Sequence, residues 1–161
     1  MQILVYESGN EILNISGKKN NKFSISKVIE TKIDNYISKA QSDDNFNLNE
    51  EFSKLQDEIL DDKSNDFITI KHDIDLIFKD KNDITYYVEI KYNDDHDTGK
   101  FIDINRKFIK TYAYLVRKFN ISSKEKLIPI LFYFNNKKMK GNIYIPEKTN
   151  IYRGKNFLIN F

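Results

Sequence analysis

HDIDLIFKDKNDITYYVEIKYNDDHDTGKF, residues 72–101, reads as two strands joined by a tight turn, then a polar loop that leads into a basic helix. In Asp73-Ile74-Asp75-Leu76-Ile77-Phe78, acidic residues sit at the mouth of an apolar strand. Side chains alternate across a strand, so Tyr86–Tyr92 puts Glu89 and Lys91 on one face and Val88, Ile90 and Tyr92 on the other. A hairpin through Lys81-Asn82-Asp83 lays the two strands side by side. Asp75, Glu89 and Lys91 then meet at one end of the sheet. Period two also turns Asp73 toward the face of Asp75. Asp75 is the preferred acid because it borders Leu76-Ile77-Phe78, which fixes it on rigid backbone; Asp73 is held in reserve. Two carboxylates and an ammonium converging in this way form a candidate metal-dependent hydrolytic site.

An Asp leading into a short hydrophobic strand, followed by Glu-x-Lys on the next, resembles the PD-(D/E)xK nuclease superfamily. The elements here are Asp75–Phe78 and Glu89-Ile90-Lys91, with the two acids 14 positions apart. Ile74 stands where the motif has Pro, and His72 precedes the other acid, so the Pro is missing in either register. The longer run Tyr92–Phe101, continuing through Asp103-Ile104-Asn105-Arg106-Lys107, is similar to type II restriction endonucleases of the HinfI-like group.

The resemblance implies a single α/β domain over residues 1–161 with a restriction-endonuclease-like core, a mixed central β-sheet flanked by α-helices. It implies Mg2+-dependent, sequence-specific hydrolysis of double-stranded DNA that leaves 5′-phosphates, carried out by a homodimer with one active site per strand. Asp75 and Glu89 would hold the ion, with the backbone carbonyl of Ile90 as a further ligand. The metal would polarise the scissile phosphate and lower the pKa of a bound water. Lys91, whose ordinary pKa is about 10.4, would be protonated and stabilise developing charge or orient the attacking water. Some superfamily members carry an extra acid on the preceding helix, a place Glu30 could fill; the preferred reading of Glu30 is a solvated side chain paired with Lys27 or the neighbours of Asp34. Two other readings stay open: a structure-selective or repair nuclease of the same fold, and a non-cleaving DNA-binding module or truncated, inactive restriction enzyme.

Composition narrows the chemistry further. The chain has 161 residues, 40% of them hydrophobic, and 12 Phe and 10 Tyr supply much of the volume of one core. A net charge of +2 with 31% charged residues describes a mixed surface, so DNA binding must be argued from where the charges lie. Without cysteine there are no disulfides or thiolate zinc sites, and two His make an all-imidazole site unattractive. Carboxylates, carbonyls and water remain, the ligand set of magnesium or manganese. No apolar run approaches the roughly 20 residues that cross a bilayer, and the start lacks the marks of a signal peptide. The expected location is the cytoplasm, with no membrane partner.

The rest of the chain is read in the same way. Ser24 is expected to cap a helix running to about Ala40, with Ile25, Val28, Ile29, Ile33, Tyr36, Ile37 and Ala40 on one face. Leu48, Phe52, Leu55 and Ile59 mark a shorter second helix. Phe67–Ile70 and Ile74–Phe78 could form one bent strand or two. Asp95-x-Asp97-x-Gly99 hints at a calcium loop, but position twelve counted from Asp95 is Arg106 rather than Glu, and the idea is rejected. Asp95 and His96 remain candidate loop contacts, and Gly99 is expected to supply a positive φ before the next helix. That helix is expected from about Asp103 to Phe119, apolar along Ile104, Phe108, Tyr112, Leu115 and Phe119. Arg106, Lys110 and Arg117 cluster on its other side, and with Lys100 they read as either a solubilising face or a DNA-binding, phosphate-contacting stripe. Leu127–Phe134 is a buried-strand candidate, and Asn142–Pro146 is expected to adjoin it. The chain stops while still apolar, which reads as a domain truncated at its C-terminus.

Overall fold

The computed structural model describes residues 2–13, 22–71, 73–95, 97–138 and 144–154. His72 and His96 lie outside the described residues. The hairpin anticipated above is formed by β4 (Leu76–Lys79) and β5 (Thr85–Lys91), paired antiparallel with Leu76 opposite Val88 and Lys79 opposite Thr85. Its turn is built by Asp80, whose Oδ1 accepts from the backbone N–H groups of Asn82 and Ile84, both at 2.9 Å. Asp83 closes the turn at φ 63°, a left-handed conformation that short polar side chains tolerate.

From the end of β5 the chain enters α4 (Thr98–Lys118), which carries it back along the sheet. β6 (Leu127–Tyr133) therefore runs parallel to β5, in register from Thr85 opposite Leu127 to Lys91 opposite Tyr133. After α5 (Glu147–Asn150), β7 (Ile151–Arg153) adds parallel to β6. At the other edge α1 (Gln2–Glu7) leads into β1 (Glu11–Ile12), antiparallel to β4. Among the described residues the result is a mixed five-stranded sheet of order β1-β4-β5-β6-β7.

Alternation along these strands divides the core. Leu76, Phe78, Val88, Ile130 and Phe132 pack with Val5 on one face. Ile77, Tyr87, Leu131 and Tyr133 face the other way, into the larger core shared with the main helices. Pro129 is tolerated in the middle of β6 because β7 pairs only from Leu131 onward. Its carbonyl is taken by Asn150 Nδ2 at 2.9 Å.

Several expectations are corrected. Ser24 does not cap a helix. Lys22–Ser26 is a strand, β2, and the cap of α2 (Lys27–Ser42) is Ser26, whose Oγ accepts from Ile29 N at 3.1 Å. β2 pairs with β3 (Phe67–Lys71), so Phe67–Ile70 and Leu76–Phe78 belong to two strands in two different sheets. α3 (Leu48–Leu60) follows the spacing of its apolar residues, capped by Asn47. Within the stretch expected to adjoin β6, residues 142–143 lie outside the described residues and Tyr144–Pro146 is not a strand; β7 takes the place beside β6.

α4 starts earlier than its apolar spacing suggests, because Asp97 caps it by accepting from Lys100 N at 2.9 Å. Gly99 lies inside its first turn, and among the described residues the glycines with positive φ are Gly9 and Gly154. The helix is also enclosed far beyond one stripe. Phe108 stacks on Tyr87 at 5.2 Å, Tyr114 on Phe23 at 4.3 Å, and Lys110 is 8% exposed.

Candidate active site

β5 ends on Glu89-Ile90-Lys91 beside the first residues of β4, and this is where the acidic and basic groups converge. Asp75 lies one position beyond the last ladder pair and uses its carboxylate in place of a backbone partner: Oδ2 accepts from Ile90 N at 2.8 Å. Glu89 shares the α4 side of the sheet with Tyr87, and its side chain is 6% exposed. Tyr87 donates its hydroxyl to Glu89 Oε2 at 3.4 Å. Burial, and then the neighbouring Glu89 carboxylate, push the Tyr87 phenol well above its ordinary pKa, so it stays a donor.

Lys91 lies between the two acids. Its Nζ is 2.5 Å from Glu89 Oε1, 3.9 Å from Asp75 Oδ2 and 3.2 Å from the carbonyl of Ile90. Two carboxylates gathered at one strand end repel each other, so a cation is needed to hold them together. Here the ammonium provides it. Among the described residues no cluster of three or more His, Cys, Asp or Glu side chains is arranged to hold a metal. Two carboxylates and one carbonyl suit magnesium, which keeps several waters and takes few protein ligands.

The remaining candidates are distributed differently. Asp73 is exposed, in the segment before β4. Asp95 is exposed, and its N–H donates to Asn93 Oδ1; His96 lies outside the described residues. Glu30 accepts from Lys110 Nζ at 2.6 Å, joining α2 to α4. Arg106 is held by Asp34 at 2.7 Å and approaches Asp103. Arg117 lies over the ring of Phe67 at 4.1 Å and donates to Ser64 O. It is near the last turn of a 21-residue helix, about 28 Å along the axis from Thr98 at 1.5 Å per residue. The basic face of α4 is therefore not one stripe beside the acids. Lys100, exposed in the first turn, is the basic residue of that set at the end where α4 leaves the β5 loop.

Sequence reasoning passed over Asp94 and Arg153. Asp94 is fully buried directly after the site strand, and Arg153 Nη2 lies 2.9 Å from its Oδ2. Asp94 sits in a run of polar residues indistinguishable from a solvated loop, and no local signal marks it.

The mixed sheet with helices on its faces is the architecture of a restriction-endonuclease-like α/β protein. A family model for the HinfI type II restriction endonucleases matches residues 2–161, and the chain belongs to that family. It is 55% identical over 164 residues to the type II restriction enzyme HinfI of Haemophilus influenzae, an alignment covering all of this chain and 62% of that enzyme. The chain thus spans less than two thirds of the length of that relative. No solved structure matches it. No helix of the described residues is long and apolar enough to cross a membrane.

Proposed function

We propose that this chain carries the catalytic centre of a type II restriction endonuclease, hydrolysing phosphodiester bonds of double-stranded DNA at a specific sequence and leaving 5′-phosphates. The observation that carries this reading is the convergence of Asp75 and Glu89 on the Lys91 ammonium, beside the carbonyl of Ile90, at the end of β5. Asp75, Glu89 and that carbonyl are the oxygen donors that would hold Mg2+. When bound, the ion supplies polarisation of the phosphate and a bound water of lowered pKa.

The chain's own groups do the rest. Tyr87 fixes one oxygen of Glu89 and Ile90 N–H fixes one of Asp75, so both acids are oriented by groups buried in or belonging to the sheet. Lys91 gives up its place between the acids and turns its ammonium to the charge developing on the phosphate. Lys100 adds a phosphate contact from the first turn of α4. Asp73 and Asp95, both exposed, flank the centre in sequence and are the acids that would face a bound duplex. Two copies related by a twofold axis would cut the two strands of a palindrome, in the cytoplasm where the DNA is.

The test is incubation of the purified chain with plasmid and Mg2+, with a chelator control. Discrete, metal-dependent fragments are expected. Nicking confined to branched or mismatched DNA would instead make it a structure-selective nuclease. Binding without scission by folded protein would make it a non-cleaving module and overturn the proposal.

A further inference from the structure

We propose that Arg153 is a positioning residue for the nuclease centre, acting through Asp94 to fix the loop between β5 and α4. The inference rests on the nuclease reading above. Lys91, Tyr133 and Arg153 occupy one register row across β5, β6 and β7 and so point to the same face of the sheet. From the outermost of these strands Arg153 reaches back across the middle one. Its guanidinium lies 4.7 Å from the centroid of the Tyr133 ring, and its Nη2 is 2.9 Å from Asp94 Oδ2 and 3.5 Å from Glu147 Oε1.

Asp94 is three residues after Lys91 and three before Asp97, the cap of α4. A fully buried carboxylate is costly to hold unless it is paired, so the loop takes this path because the guanidinium is there to receive it. Backbone bonds clamp the same corner. Phe134 N donates to Lys91 O at 3.0 Å, Asn135 N to Tyr92 O at 2.8 Å, and Gly154 N to Tyr133 O at 2.8 Å. Gly154 has φ +53°, a left-handed conformation that side chains rarely adopt, and a Cβ there would lie 2.1 Å from Asn136 Oδ1 and push that side chain aside. A planar, stacking, charged side chain is required, and lysine supplies only the charge. With the tether loosened, Lys91 and the first turn of α4, Lys100 included, lose their common reference, while Asp75 and Glu89 keep theirs in the sheet; one loosened phosphate contact moves KM only slightly.

The experiment compares the full chain with its Arg153→Lys and Asp94→Asn variants and the double variant. It measures kcat and KM on a cleavable duplex, together with amide hydrogen exchange. The expected result is a loss in kcat on the order of 100-fold with KM within about threefold of the parent, because small misplacements near a reacting centre carry costs of that size. Exchange should quicken over residues 93–98 and stay protected in β6. The double variant should lose no more than the worse single variant, since both changes cut one tether. Parental kcat in Arg153→Lys, a rise in KM that accounts for the whole loss, or additive losses would each overturn the proposal. So would loss of β6 protection in both single variants, which would make the pair a support of the whole fold. If the parent chain cleaves no DNA, the nuclease reading fails; unchanged exchange over 93–98 in the variants would then show separately that the tether fails too.

Discussion

Glu89 is the most enclosed of Asp75, Glu89 and Lys91, and the enclosure has a definite cause. It follows Tyr87 by two residues, so period two carries it onto the face that α4 covers, where the Tyr87 hydroxyl receives it. Its charge is offset by Lys91, and a substitution that removes charge without changing shape isolates the chemistry. Glu89→Gln and Asp75→Asn are expected to lower cleavage at least about 100-fold, and Lys91→Met by a similar factor, as for loss of one preorganised charged group at a reacting phosphate. Plasmid cleavage alongside a thermal melt checks this: cutting at the parental rate by any of the three, with the melt preserved, removes that residue from the mechanism. At this scale the sequence was informative. Alternation alone placed Glu89 and Lys91 together, and the apolar Leu76-Ile77-Phe78 segment singled out Asp75, the acid that meets Lys91. The buried state of Asp94 could not be read in the same way, because it depends on an arginine 59 positions later in the chain.

At the scale of elements, α2 and α4 are joined by polar pairs as well as apolar packing. Ser26 ends β2 and begins α2, and its Oγ satisfies Ile29 N, one of the donors a helix start leaves open. Ser26→Ala is expected to cost about 1 kcal/mol in urea denaturation, and an unchanged midpoint would show that the cap contributes nothing. Lys110 and Glu30 pair at 2.6 Å with side-chain exposures of 10% and 30%. Lys110→Met should destabilise by leaving Glu30 without its partner, and adding Glu30→Leu should recover part of the loss, with a coupling of about 0.5–3 kcal/mol. The same geometry separates two lysines that look alike in sequence. Lys100→Ala is expected to weaken duplex binding and lower the slope of log affinity against log salt by about 0.9, one phosphate contact. Lys110→Met should leave that slope unchanged. Equal slopes for both variants would remove Lys100 from the DNA-facing surface. The 3.6-residue period found α4 but not its surroundings, since a helix covered on several sides by α2, α3 and the β2–β3 pair still carries polar residues wherever partners meet them.

Over the whole molecule, buried phenols set an alkaline limit. Burial pushes Tyr112 up to about 12, and Tyr36 and Tyr87 are raised by the same cause. A phenol held neutral in the folded state binds a proton that the unfolded chain releases near pH 10. Its stabilisation is therefore complete below pH 10 and is lost as pH rises toward 12. For Tyr112, moving from the ordinary 10 to about 12 corresponds to about 3 kcal/mol. Tyr112→Phe is expected to lose correspondingly less stability between pH 10 and 12, after a cost of about 1 kcal/mol at neutral pH for the bond from Gln56. Denaturation midpoints at pH 8 and pH 11.5 decide it; parallel pH dependence in both proteins would show that Tyr112 carries none of the effect.

By itself the sequence determined the local chemistry: the hairpin turn through Lys81-Asn82-Asp83, the alternation along its two strands, and the meeting of Asp75, Glu89 and Lys91 across one turn. These depend on neighbours a few residues apart, and their spacing is written in the chain. Tertiary structure decided which strands share a sheet, so that Phe67–Lys71 left β4 for β2, and that Ile151–Arg153 took the place expected for Asn142–Pro146 beside β6. It also decided which basic residues of α4 are spent on Glu30, Asp34 and Phe67 rather than left for a ligand. The physical reason is common to all of these. Which partner neutralises a charge, or completes an edge, is settled by groups brought close only when the sheet and helices pack, and no local period encodes that distance.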